Sequence, residues 1–268
     1  IEADHVDFAY TDELVLQDVS FTIHQGEKIA FIGKNGAGKS TMAKLLTGIV
    51  RPKHGTIKYK GQDIAAYSIR EIGQRIGYVM QNPNQMLVRD IIKEEVELAL
   101  IARKVPADER EKSVEDALTL CGLWSMRNWP VTAVSYGQRK RITVAAILAL
   151  KPDVLILDEP TAGQDYFHYT EIMEFLDQCN RDLGISFIFI THDMHLAIEY
   201  TDRAIVFSDS RVIADDAVTK ILSNDQVIAE AHLKRTSLYT LAMRTGNRPE
   251  QLIGGFIAYE RRMRNHDE

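Results

Sequence analysis

The segment Gly33-Lys34-Asn35-Gly36-Ala37-Gly38-Lys39-Ser40-Thr41 lies between the apolar run Ile29-Ala30-Phe31-Ile32 and a stretch with helical character. A strand, a glycine-rich loop and a helix in that order make a cradle for phosphate groups. Glycines at 33, 36 and 38 let successive backbone N–H groups face an anion without Cβ clashes, and the helix that follows points its positive end at the same charge. Lys39 is placed to reach the β- and γ-phosphates of a nucleoside triphosphate, and Ser40 to hold Mg²⁺. Gly33, Asn35, Gly36, Gly38, Lys39, Ser40 and Thr41 are therefore the expected triphosphate-binding residues. Any fold of this chain must frame their loop with a buried strand and a helix.

With 268 residues and 45% hydrophobic content, the chain is able to bury one substantial core, or a core with a smaller satellite, and disorder is excluded. The net charge of −6 and the dispersed basic residues speak against a nucleic-acid-binding face. No apolar stretch approaches the roughly 20 residues of a membrane span, and no signal-peptide pattern opens the chain. Cys121 and Cys179 sit in helix-like apolar patterns without metal-ligand spacing, as expected of reduced core thiols in a cytoplasmic protein. A start at Ile1 instead of Met suggests a piece of a longer polypeptide.

Short β-like runs over 6–10, 19–23, 29–32 and 55–59 alternate with turns, and a helix over 40–47 stops at Gly48. Another strand over 75–80 ends at Gln81. The periodicity then becomes helical, with charge-rich segments over 91–102 and 108–120 broken at Pro106 and Gly122. A helix over 138–150 closes at Lys151-Pro152. The continuous apolar runs 154–157 and 185–190 have the composition of buried parallel strands, and after Val212 the pattern is helix-like to Glu268. Together these elements predict an α/β fold.

The 154–157 strand delivers Asp158 and Glu159 to its C-terminal end, where an open α/β sheet presents its ligands. Beside a phosphate-binding loop, Asp158 is the expected Mg²⁺ ligand. Adjacent residues on a strand project to opposite sides, so Glu159 is left to orient or deprotonate an attacking water.

From here the chain resembles the ATP-binding cassette family over about residues 1–212, because six further features follow in that family's order. They are Tyr10 before the loop, Gln81 after a strand, Ser135-Tyr136-Gly137-Gln138 opening a helix, Asp158-Glu159-Pro160, Ala162-Gly163-Gln164-Asp165, and Ile190-Thr191-His192-Asp193. The resemblance implies a P-loop NTPase (RecA-like) core with an antiparallel β subdomain and an α-helical subdomain inserted at about 84–138, followed by a short helical extension over 213–268. It also implies ATP hydrolysis with Mg²⁺. Tyr10 stacks on adenine, Gln81 joins Ser40 and Asp158 at the metal, Glu159, His192 and Lys39 serve catalysis, and Asp165 lies at a subunit seam. Ser135, Gly137 and Gln138 then contact the γ-phosphate held by the P-loop of a second cassette. Val134 and Tyr136 stand where the family's signature has Leu and its first Gly, and Gln164 where it usually has Leu.

One P-loop and one signature cannot face each other within a cassette, so the resemblance implies a homo- or heterodimer with a second cassette, identical, different or in the same polypeptide. The run Met80-Gln81-Asn82-Pro83-Asn84-Gln85-Met86 is similar to the corresponding segment of energy-coupling-factor ATPases. That likeness implies an importer for a vitamin, such as a thiamine precursor, or a transition-metal ion. Its ATPase sits on the cytoplasmic face of the cell membrane as a peripheral subunit, with a transmembrane coupling protein and a substrate-binding membrane protein as partners and no nucleic acid. The competing expectation is a soluble cassette ATPase acting on nucleic acid or ribosomes.

Overall fold

A computed structural model describes residues 1–161 and 166–266. The chain divides into two compact units, Ile1–Tyr67 with Ile188–Glu268, and Ser68–Phe187.

The first unit opens with β1 (Glu2–Phe8) and β2 (Leu16–Thr22), an antiparallel pair. A register shift between Ala3 and Val6, with His5 at φ +48, breaks the two-residue alternation so that Ala3, Val6 and Phe8 are all buried. The strand reaches back to Glu2, before the expected start at 6, because an antiparallel sheet tolerates polar residues on its solvent face. It also ends earlier than expected. Val15 N–H donates to the Phe8 carbonyl and closes the pairing there, which leaves Tyr10 in the connecting loop instead of on the strand. Next come β3 (Lys28–Gly33), buried from Ile29 onward, then α1 (Lys39–Leu46), β4 (His54–Tyr59) and β5 (Gln62–Asp63). One sheet takes the order β2-β1-β4-β5.

The second unit begins with the single turn α2 (Ile69–Ile72), held by a Ser68–Glu71 capping box, and continues to β6 (Ile76–Val79). Helices α3 (Ile92–Ala102), α4 (Ala107–Leu120) and α5 (Tyr136–Leu148) pack against one another. Then β7 (Val154–Asp158), all five residues buried, runs parallel to β6, pairing Ile76 with Val154 and Val79 with Leu157. Helix α6 (Tyr166–Leu183) leads to β8 (Ser186–Ile190). Cys121 and Cys179 are buried free thiols, and burial pushes the Cys179 thiol up to about 12.

Back in the first unit, α7 (Met194–Tyr200) precedes β9 (Arg203–Ser208), which runs parallel to β3 from Ile29–Arg203 to Gly33–Phe207. Strand β10 (Arg211–Ala217) pairs antiparallel with β9. The helical pattern expected directly after Val212 is thus corrected: the chain stays extended to Ala217 because β9 supplies hydrogen-bond partners up to Arg203. Helices α8 (Val218–Ile221), α9 (Asp225–Glu230), α10 (Ser237–Thr245) and α11 (Pro249–His266) follow. Ile221, Leu222, Ala231, Ile253 and Ile257 join Ala30, Ile32, Ala204 and Val206 in one core, so this extension packs behind the strand that feeds the glycine-rich loop.

Candidate functional site

In the first unit, β3 ends at Gly33 with φ +142, and a Cβ there would lie 2.0 Å from the Phe207 carbonyl oxygen of β9. Gly38, at φ +102, caps α1, and a Cβ there would lie 2.5 Å from Leu16 Cδ2 and 2.9 Å from the Val15 carbonyl. The loop is therefore pressed against β2 and β9 at its two ends, where no side chain fits. The first turn of α1 has no acidic residue and no side-chain cap, which leaves its positive end to an anion. Lys39 is nearly buried, and its Nζ donates to the carbonyls of Gly33 at 2.7 Å and Lys34 at 2.9 Å, so the loop wraps its own ammonium. Asn35, Gly36 and Ser40 are exposed, and Thr41 is buried in the first turn.

Tyr10 is 55% exposed. Phe8 meets its ring edge-on at 4.8 Å, and Lys44 Nζ lies 5.7 Å from its centroid. These contacts fix the ring while leaving a face open, the condition for stacking on a base. His192 is exposed in the turn between β8 and α7, beside Asp193, whose carboxylate caps α7 by accepting the His195 N–H.

In the second unit, Asp158 ends β7 and is 8% exposed, with Oδ2 accepting the Tyr78 hydroxyl at 2.9 Å. Glu159 follows at φ +47, a left-handed conformation that is costly for a residue with a Cβ and is kept where the surroundings enforce it. Its carbonyl accepts Lys140 Nζ at 2.5 Å, and Nζ also donates to the Gln81 carbonyl at 3.3 Å. Gln81 itself is exposed, two residues after the end of β6.

Ser135 is the N-cap of α5, as expected, and completes a capping box: its Oγ accepts Gln138 N–H at 3.2 Å and Gln138 Oε1 accepts Ser135 N–H at 2.9 Å. The capping bond uses a lone pair of the Ser135 hydroxyl and leaves its proton for an anion. Gly137, in the first turn between them, has nothing closer to a built Cβ than Ser135 Oγ at 4.0 Å. The basic run Arg139-Lys140-Arg141 does not form the shared cationic face that its proximity to Ser135 suggests. Arg139 donates to Asn84 Oδ1, Arg141 pairs with Glu171, and Lys140 is fully buried. Burial lowers Lys140 to about 8, while the charges of Asp158 and Glu159 oppose that shift. Asp165 lies outside the described residues.

Sequence reasoning missed Lys140 and Tyr78 as parts of this site. Lys140 is buried on α5 with Ile142, Thr143, Val144 and Ala145, and no motif in the sequence marks it.

A sequence model described as ABC transporter matches residues 16–162. The chain belongs to the ABC transporter family. It is 52% identical over 253 residues to a protein of Enterococcus faecalis named "Putative ABC transporter ATP-binding protein", covering 94% of this chain and 44% of that one. A protein of Clostridium perfringens with the same description is 47% identical, covering 99% of this chain and 47% of the other. The chain thus spans about half the length of the curated relatives it matches. Among solved structures it resembles cbiO1 from Clostridium perfringens, described as part of the ABC transporter complex cbiONQ, with a TM-score of 0.79 and 32% identity, over 90% of this chain and 98% of that one. It also resembles an ATP-binding cassette captured as a dimer in a post-hydrolysis state with ADP and Pi, with a TM-score of 0.71 and 26% identity, over 81% of this chain and 98% of that one. The α/β architecture is that of ABC ATPases, and the cassette is an ATP hydrolase by family.

Proposed function

We propose that this cassette powers an importer of the energy-coupling-factor type, taking up a vitamin or a transition-metal ion. The likeness to cbiO1 across nearly the whole of both chains carries this reading. The relatives and the structural neighbour named above carry transporter names, which favours this reading over the runner-up, a soluble ATPase acting on nucleic acid or ribosomes.

In this reading residues 1–212 form the cassette, with 84–138 as its helical subdomain and 213–268 as an accessory extension. Gly33, Asn35, Gly36, Gly38 and Thr41 line the phosphates, Lys39 neutralises them, and Tyr10 stacks on the base. Ser40, Gln81 and Asp158 offer hydroxyl, amide and carboxylate oxygens, a donor set that fits Mg²⁺. The Tyr78 hydroxyl donates to Oδ2 of Asp158 and would orient this carboxylate for the cation. The bound ion would neutralise charge developing on the phosphoryl oxygens. Glu159 takes the proton of the attacking water, and His192 holds the γ-phosphate and that water. Ser135, Gly137 and Gln138 serve the P-loop of a second cassette, with Asp165 at the seam. The partial span of the chain within its relatives leaves length for that second cassette in the same polypeptide.

Among the described residues no helix is long and apolar enough to cross a membrane. The proposed location is peripheral, on the cytoplasmic face of the membrane, against a transmembrane coupling protein and a substrate-binding membrane protein. Affinity capture of the native protein from mild-detergent membranes, followed by mass spectrometry, tests this. Small integral membrane proteins are expected, and ribosomal proteins or nucleic acid in a membrane-free eluate would contradict it.

A further inference from the structure

Tyr136, Arg139 and Lys140 occupy positions i, i+3 and i+4 of α5, which places them on one face of the helix. All three reach the loop after β6. The Tyr136 hydroxyl donates to the Gln81 carbonyl at 3.2 Å, Lys140 Nζ donates to the same oxygen at 3.3 Å, and Arg139 donates to Asn84 Oδ1 at 2.9 Å. Lys140 continues to the carbonyl of Glu159, whereas the second bond of Arg139 returns to the Val134 carbonyl just before its own helix. Two loops that sequence separates by 78 residues are therefore joined through one ammonium: one carries the Gln81 amide, the other the Glu159 carboxylate.

A buried ammonium is an expensive way to fill space. An apolar side chain of similar length would pack at that position without the desolvation penalty. What the ammonium supplies is direction, since it bonds two carbonyls at once and grips the peptide unit of a residue held at φ +47. Tyr136 supplies the second hold on Gln81, and it does so from the position where the family's signature has its first glycine, a residue with no side chain to reach the loop.

We infer that Tyr136 and Lys140 are positioning residues for hydrolysis: they make the first turn of α5, the Gln81 loop and the Glu159 peptide a single connected piece, so that a shift of the signature helix is transmitted to both reactive loops. This rests on the reading of Glu159 as the base and Gln81 as a metal ligand. Neither positioning residue touches nucleotide in this account. Their loss therefore acts on turnover and spares ATP affinity.

The test measures steady-state ATP hydrolysis and binding of a fluorescent ATP analogue in the full-length native protein and its Lys140→Met, Lys140→Arg, Tyr136→Phe and Glu159→Gln variants. Lys140→Met is expected to lower kcat about tenfold with analogue affinity within about twofold of wild type, and Lys140→Arg, which still donates to both carbonyls, to recover most of it. Tyr136→Phe, which deletes one hydroxyl from a half-buried side chain, is expected to lower kcat about threefold with affinity unchanged. Wild-type kcat in both Lys140→Met and Tyr136→Phe overturns the inference, as does a fall in affinity parallel to kcat. If Lys140→Met melts early, Tyr136→Phe decides alone, and an unchanged kcat there overturns the inference. A Glu159→Gln variant without hydrolysis beside normally active Lys140 and Tyr136 variants overturns the inference alone, whereas a fully active Glu159→Gln variant overturns the catalytic reading and the inference with it.

Discussion

Lys39 and Lys140 each bond two backbone carbonyls, and the origin of those carbonyls separates their uses. The Gly33 and Lys34 carbonyls that accept Lys39 Nζ belong to its own loop, six and five residues away. The Gln81 and Glu159 carbonyls that accept Lys140 Nζ lie 59 and 19 residues away on different segments. In its proposed role Lys39 exchanges these two carbonyls of its loop for phosphate. Loss of the Lys140 ammonium removes bonds that join two loops to a helix. In the proposed reading the ligand-binding lysine is held by carbonyls of its own loop, and the positioning lysine by carbonyls of two segments distant in sequence.

The sharpest way to break this contrast is Lys39→Ala, which removes the charge proposed to face the phosphates. ATP hydrolysis is expected to fall by at least about a hundredfold, with weaker nucleotide binding, unlike the Lys140 variants, which keep affinity. Equal loss of affinity in both would erase the distinction.

A smaller effect is expected from Gly33→Ala, which asks whether the local tether depends on the close approach of β3 to β9. The added Cβ meets the Phe207 carbonyl at 2.0 Å, backbone against backbone, and should cost about 3 kcal/mol of stability in chemical denaturation. The smallest expected effect is that of Ser135→Ala, which removes the cap of the helix that carries Lys140. It should cost about 1 kcal/mol through the lost capping bond and also lower turnover by loss of the proposed phosphate contact. Stability lost without any change in turnover would confine Ser135 to capping.

The two regions were unequally legible in the sequence. The loop at 33–41 is made by backbone, and the glycines that permit its conformation are themselves the motif, so its frame of β3 and α1 followed directly. The cap at Ser135 was readable for the same reason, since Ser and Gln three residues apart state a local hydrogen-bond pattern. Lys140 was not readable, because its partners are main-chain carbonyls that any residue type would supply. In the sequence it is one of three consecutive basic residues after the cap. Tyr10 and β10 were misplaced for a related reason: the end of β1 is fixed by the Val15–Phe8 bond and the length of β10 by its pairing with β9, both of which depend on chain neighbours that local pattern does not name. Strand β9 itself, with an apolar Ala204–Phe207 as continuous as β7, escaped for want of a motif at its end.

The central claim, that this cassette hydrolyses ATP with Glu159 as the base, is tested most directly by Glu159→Gln in the full-length protein, measuring analogue affinity and single-turnover hydrolysis together. Affinity within about twofold of wild type with hydrolysis lowered about 10²- to 10⁴-fold is the predicted result. Hydrolysis at the wild-type rate would contradict it.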